Sequence, residues 1–201
     1  IPVSMHWAES EAELAWLRRI FEFIFSPEQA DKPGAPLDRS GTLAPGEPNR
    51  LRQSFFPEMR FPELLETSHR RNAKRYAAAL LGVDESRLTS WGHMIDKPPG
   101  GRAALWHQDQ AYWLPELDYL ALGTWLPMHA VPVEMGAMQF IPGSHKRGLL
   151  PHRHADKPEH NNLIVDAPFD EAPAVACPLE AGGATFHHSL TLHYTAPNVT
   201  D

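Results

Sequence analysis

From Arg87 onward the chain is a succession of short apolar runs separated by turn residues: "LTSWGHMI", "AALWHQD", "YLALGTWLPMHAV", "AMQFI", "NLIVD", "AVACPL" and "ATFHHSLTLHY". Each run has the length and side-chain character of a strand. No helical stretch stands between consecutive runs, so the crossovers that parallel pairs need are missing. Seven or so strands connected only by turns predict an antiparallel sandwich or jelly roll. The 20 prolines and 13 glycines supply the turns that such a chain needs. At 201 residues one domain with one core is expected over 1–201.

The first 85 or so residues read differently. Ser10 followed by Glu13 forms a capping box, and Leu14, Leu17, Ile20, Phe21, Ile24 and Phe25 recur at helical spacing until Pro27. This predicts an amphipathic helix over 11–25. Residues 31–49 are dense in Pro and Gly and predict a loop. A second helix is expected from Pro62 to Gly82, with Leu65, Ala73, Tyr76, Ala77, Leu80 and Leu81 inward and Arg70, Arg71, Lys74 and Arg75 on a solvated face. The predicted class is therefore mainly β with flanking helices, the helical part covering about 1–85 and the jelly-roll core about 86–201.

The formal charge of -7 gives no general attraction to nucleic acid or to an anionic membrane surface. Cys177 is the single cysteine, so an intramolecular disulfide and a cysteine-based zinc site are both excluded. No apolar run reaches the roughly 20 residues that span a bilayer. The N-terminal stretch "IPVSMHWAES" is not a signal peptide. A cytoplasmic protein is expected.

The chemistry concentrates in "ALWHQDQAYW". Successive strand side chains alternate, so His107 and Asp109 share a face and Gln108 turns to the other. An imidazole and a carboxylate side by side suit a divalent metal such as Fe(II). A second imidazole must come from a distant strand, and "GATFHHSLTLHYTAPN" offers His187, His188 and His193. Two histidines and one carboxylate hold iron on one face and leave the opposite positions open for a co-substrate and O₂.

"MIDKPPGGRAALWHQDQAYW", "GTWLPMHAVPVEMGAMQFIPGSHKRG" and "LHYTAPNVTD" together resemble the phytanoyl-CoA dioxygenase family of Fe(II)- and 2-oxoglutarate-dependent oxygenases, over roughly residues 90–201. The KPP, HQD, PGSHK and H-x-T-x-P-N elements stand in the family's order. The resemblance implies a double-stranded β-helix in which His107, Asp109 and His193 form the catalytic metal site. Thr195, Pro197 and Asn198 follow His193 at the family's spacing, which selects it over His187 and His188. Trp125 and Thr195 would lie against 2-oxoglutarate, Gln108 beside the metal, and His93 along the pocket. The family's arginine for the far carboxylate of 2-oxoglutarate falls roughly eleven residues past the distal histidine, so it is expected in a continuation beyond Asp201.

A metal-site carboxylate distinguishes the family's hydroxylases from its halogenating cousins, so Asp109 implies hydroxylation of a small or acyl-type organic molecule with Fe(II), 2-oxoglutarate and O₂. The alternatives are a non-catalytic ligand-binding jelly roll and a cupin-type metal-dependent hydrolase or isomerase. Residues 142–148 are expected near the pocket rim without a catalytic role. Residues 151–160 read as a solvated loop with a lid as the second reading. Tyr112, Trp113 and Trp91 are candidates for the cavity wall or the core.

Overall fold

The computed structural model describes residues 2–3, 10–38, 51–155 and 162–201. In chain order its strands and helices are β1 (Pro2–Val3), α1 (Glu11–Ile24), β2 (Leu37–Asp38), β3 (Arg52–Phe55), α2 (Ser68–Leu81), β4 (His93–Asp96), β5 (Ala104–His107), β6 (Leu122–Trp125), β7 (Met138–Phe140), β8 (His152–His154), β9 (Leu163–Val165), β10 (Val175–Ala176), β11 (Ala184–His188) and β12 (His193–Thr195). The strands form a four-stranded sheet in the order β10-β7-β12-β5, a three-stranded sheet β1-β11-β6, a further three-stranded sheet β2-β3-β4 and the pair β8-β9. Every pairing is antiparallel. The result is the jelly-roll class that the turn-separated runs predict.

Alternation along β11 explains how the two central sheets meet. Ala184 and Phe186 form one core cluster with Tyr76 of α2 and with Leu122 and Leu126, so this face of β11 packs on the helix. His187, of the other parity, lies against Phe140 of β7 and His193 of β12, its ring centroids 5.0 and 4.7 Å from theirs. The opposite face of β11 therefore looks into the space between the sheets. A second core cluster joins Leu17, Ile24 and Phe25 to Leu64 and Met94, so α1 buttresses the β2-β3-β4 side.

Helix α1 starts where the capping box predicts, with the Ser10 side chain accepting from Glu13 N at 3.2 Å. The second helix starts later than expected. Pro62–Glu66 form a separate 3₁₀ turn, and Thr67, extended at φ -66° and ψ 147°, caps α2 by accepting from Arg70 N at 3.2 Å. Ala73, Tyr76 and Ala77 are partly buried as expected, whereas Leu65, which falls in the 3₁₀ turn, and Leu80 near the end of α2 are exposed. Of the basic residues, Arg70 is drawn inward to Glu58 at 3.5 Å.

Two further expectations change. "ATFHHSLTLHY" is not one strand but two, β11 and β12, which belong to different sheets. The segment from 151 begins with β8 rather than a loop, because it pairs with β9; residues 156–160 lie outside the described residues, as do residues 39–49 of the first predicted loop, whose earlier part ends in β2. Among the described residues no helix is long and apolar enough to cross a membrane.

Candidate metal centre

His107 ends β5 and His193 begins β12, and the register pairs them directly across the sheet, their ring centroids 4.1 Å apart. Asp109 is not itself a strand residue; it opens a 3₁₀ turn over Asp109–Tyr112. Gln108 before it keeps an extended backbone at φ -123° and ψ 131°. The alternation thus survives one residue past the strand and delivers the Asp109 carboxylate to the side of His107. Asp109 Oδ1 lies 3.4 Å from His193 Nε2 and 4.0 Å from His107 Nε2. All three donors fall within 4.8 Å of one another.

Each imidazole is set in one tautomer by its own backbone. His107 Nδ1 lies 2.7 Å from Leu105 O and His193 Nδ1 2.9 Å from Thr191 O, so each keeps a proton on Nδ1 and turns Nε2 toward the centre. Three donors about 2.1 Å from one ion and at right angles lie about 3 Å apart; the 3.4 and 4.0 Å from Asp109 Oδ1 to the two Nε2 atoms come within about 1 Å of that. Two neutral nitrogens and an anionic oxygen therefore fit a divalent ion of the Fe(II) type. Burial lowers the His107 pKa to about 3, so this ring is uncharged at neutral pH. Burial acts to raise the Asp109 carboxyl, but the His193 charge and the hydrogen bonds from His187 and His193 outweigh it and hold the carboxyl well below its ordinary range; Asp109 in turn raises the His193 pKa, so an arriving ion displaces a proton from His193 Nε2. Asp109 keeps 31% of its side-chain surface, whereas His193 keeps 4%, so the centre opens on the carboxylate side.

The other predicted residues divide. Trp125 pairs with Thr185 and shares the inward face of β6 and β11. Thr195 lies two residues past His193, on the same face of β12. Its hydroxyl oxygen accepts from Lys97 Nζ at 2.5 Å and from Ala104 N at 3.3 Å, which leaves the hydroxyl proton free for a ligand. Gln108 does not face the metal: it is fully buried, its amide donates to Gly148 O and Leu190 O, and its Oε1 accepts from Leu150 N. Alternation turns it away from the centre and into a bracket between loops. His93 is not brought to the centre either, since β4 belongs to another sheet and the exposed ring stacks on Phe55 at 4.3 Å.

One residue escaped the sequence reading, and a second was weighed there only as an iron ligand. Lys97 is half-buried, bonds only Thr195 Oγ1 and Ala196 O (2.8 Å), and pairs with no carboxylate among the described residues. Burial brings its pKa down to about 8. The "KPP" element marked its position but not its role. His187 is buried, with Nε2 3.1 Å from Asp109 Oδ2. The family spacing sets it aside in favour of His193, and its contact with Asp109 depends on the fold; the adjacent His188 faces outward, where its ring stacks on His145 at 5.4 Å.

The chain is similar to several known proteins. Over 108 residues the chain is 38% identical to the probable alpha-ketoglutarate-dependent hypophosphite dioxygenase of Stutzerimonas stutzeri, a match over 51% of this chain and 37% of that protein. The chain spans less than half the length of the curated relatives it matches. Among solved structures it is similar to EvdO2 from Micromonospora carbonacea var. aurantiaca complexed with 2-oxoglutarate, at 37% identity and a TM-score of 0.84 over 100% of this chain and 81% of that one. The non-heme alpha ketoglutarate dependent carbocyclase SnoK, at 23% identity and a TM-score of 0.67 over 100% of this chain and 74% of that one, shares the fold. The phytanoyl-CoA dioxygenase (PhyH) family matches residues 8–201, almost the entire sequence, and the chain belongs to that family.

Proposed function

We propose that this chain carries the site of an Fe(II)- and 2-oxoglutarate-dependent dioxygenase that hydroxylates a small or acyl-type organic molecule, with His107, Asp109 and His193 as the metal ligands. The observation that carries the reading is the convergence of two tautomer-locked imidazoles and one carboxylate from separate segments. With iron bound, O₂ and 2-oxoglutarate are consumed together, CO₂ and succinate leave, and the second oxygen atom becomes the hydroxyl of the product.

The chain's own residues prepare that chemistry. His107 and His193 turn their Nε2 atoms toward the ion, and Asp109 supplies the negative charge that matches it. Lys97 and Thr195 offer an ammonium and a free hydroxyl proton side by side, a match for one carboxylate of 2-oxoglutarate. Trp125 walls the same interior face. Cys177 as the lone thiol suits a reducing compartment, and we place the protein in the cytoplasm.

The test is anaerobic addition of Fe(II) and 2-oxoglutarate to the protein, followed by air. A visible charge-transfer band that forms before air, and succinate that accumulates after it, are the expected results. A protein that binds the metal but ignores 2-oxoglutarate is a hydrolase or isomerase, and one that does neither is a binding module. Asp109→Ala should lower the rate by more than about 100-fold, since removing even an outer partner of a ligand typically costs 10–100-fold.

A further inference from the structure

Four histidines surround the HQD turn, and three of them behave alike. His107, His152 and His193 each place Nδ1 against the carbonyl two residues back, at 2.7, 2.7 and 2.9 Å. Their Nε2 atoms are thereby turned away from their own backbone; that of His152 accepts the Gln108 N–H at 3.2 Å. His187 departs from this pattern. Its Nδ1 is buried and has no partner among the described residues, while Nε2 lies 3.1 Å from Asp109 Oδ2. An ionised carboxylate only accepts, so the proton sits on Nε2 and the ring donates to Asp109. The ring has forgone a backbone bond, which its neighbours make, in order to reach the carboxylate.

The surroundings are shaped for that contact. On β6 the residue paired with His187 is Gly123. A Cβ there would come within 2.4 Å of His187 Nε2 and 3.0 Å of Asp109 Oδ2. Any larger residue would occupy the space in which the two side chains meet. Phe140 covers the ring from β7. Asp109 uses its two oxygens differently, Oδ1 toward His193 and His107, and Oδ2 toward His187.

On the reading that His107, Asp109 and His193 hold the metal, we infer that His187 is a positioning residue: it holds Asp109 Oδ2 so that the carboxylate meets the ion through Oδ1 alone and leaves the remaining coordination positions open. Without the Nε2–H donor the carboxylate can swing and offer both oxygens. That would block a position that 2-oxoglutarate or O₂ requires. Gly123 is part of the same device, since it makes room for the bond.

Co(II) titration of the metal-free full chain tests this without turnover, by affinity and by the visible d–d bands that report coordination number. His187→Phe, which keeps an aromatic ring but no donor, should weaken Co(II) binding about 10–100-fold and change the band pattern. His187→Gln, which restores an N–H donor, should recover most of both. Gly123→Ala should give the His187→Phe spectrum by displacing the ring, and should add little on top of His187→Phe. Binding and bands unchanged in both His187→Phe and Gly123→Ala would overturn the inference while leaving the ligand set intact. If the unsubstituted protein takes up no Co(II), or if His107→Ala binds it equally well, the ligand assignment falls and His187 with it.

Discussion

Lys97 shows how much a single side chain can reveal when its partners are counted. An ammonium removed from water normally finds a carboxylate, and this one has found a hydroxyl and a carbonyl instead. Its position beside Thr195 gives it a use when an anionic ligand arrives. Lys97→Met should raise the apparent KM for 2-oxoglutarate about 10–100-fold, the worth of one charge-assisted hydrogen bond, as read from succinate formation. Because burial lowers its pKa to about 8, the charged form is lost as pH rises through that value, and the KM should climb above pH 8 in the unsubstituted enzyme only. His69 makes a prediction of opposite sense. Burial lowers its pKa from 6.5 to about 4, so the unfolded chain takes up a proton before the folded one does as pH falls. Stability should therefore drop between pH 6.5 and 4, by a total on the order of 3 kcal/mol. Thermal unfolding of His69→Phe across that range should be flatter than that of the unsubstituted protein.

Among the elements, α2 shows where local signals succeed and where they need help. Pro62 marks the start of helical turns correctly, but Thr67 interrupts them with an extended backbone and caps the true helix. Both Thr67 Oγ1 bonds are local, to Arg70 N and from its own hydroxyl to Leu64 O at 2.9 Å. Thr67→Ala should cost about 1 kcal/mol in a denaturant melt, with no change in metal binding. An equal loss of metal affinity would show that α2 is coupled to the centre through Phe186 and its neighbours on β11. The pair β5 and β12 carries a different lesson. Periodicity identifies both as strands, but only the cross-strand register places His107 opposite His193. Helix α1, by contrast, was legible almost to the residue, because cap, apolar spacing and the following proline all lie within one stretch of chain.

At the scale of the whole molecule, the metal centre ties together the ends of a long stretch of sequence, with β5, the turn after it and β12 all supplying donors. An ion bound there stabilises the folded state by mass action, by about 2.7 kcal/mol at a free concentration 100 times Kd. Mn(II) or Fe(II) added anaerobically should raise the melting temperature, and EDTA should return it to the metal-free value. His193→Ala should lose that increment; a melting temperature that still rises with metal would place the ion elsewhere. The sequence by itself determined the strand-rich class, the first helix and the pairing of His107 with Asp109, because caps, alternation and turn residues act over a few neighbours. It also pointed to His193 through a motif contained in ten residues. The tertiary structure alone decided that Gln108 braces loops, that His93 lies on another sheet, that Lys97 reaches Thr195 and that His187 grips Asp109. Each of those four depends on which strands become neighbours and in what register, and that is fixed by the burial of side chains far apart in the chain rather than by any local preference.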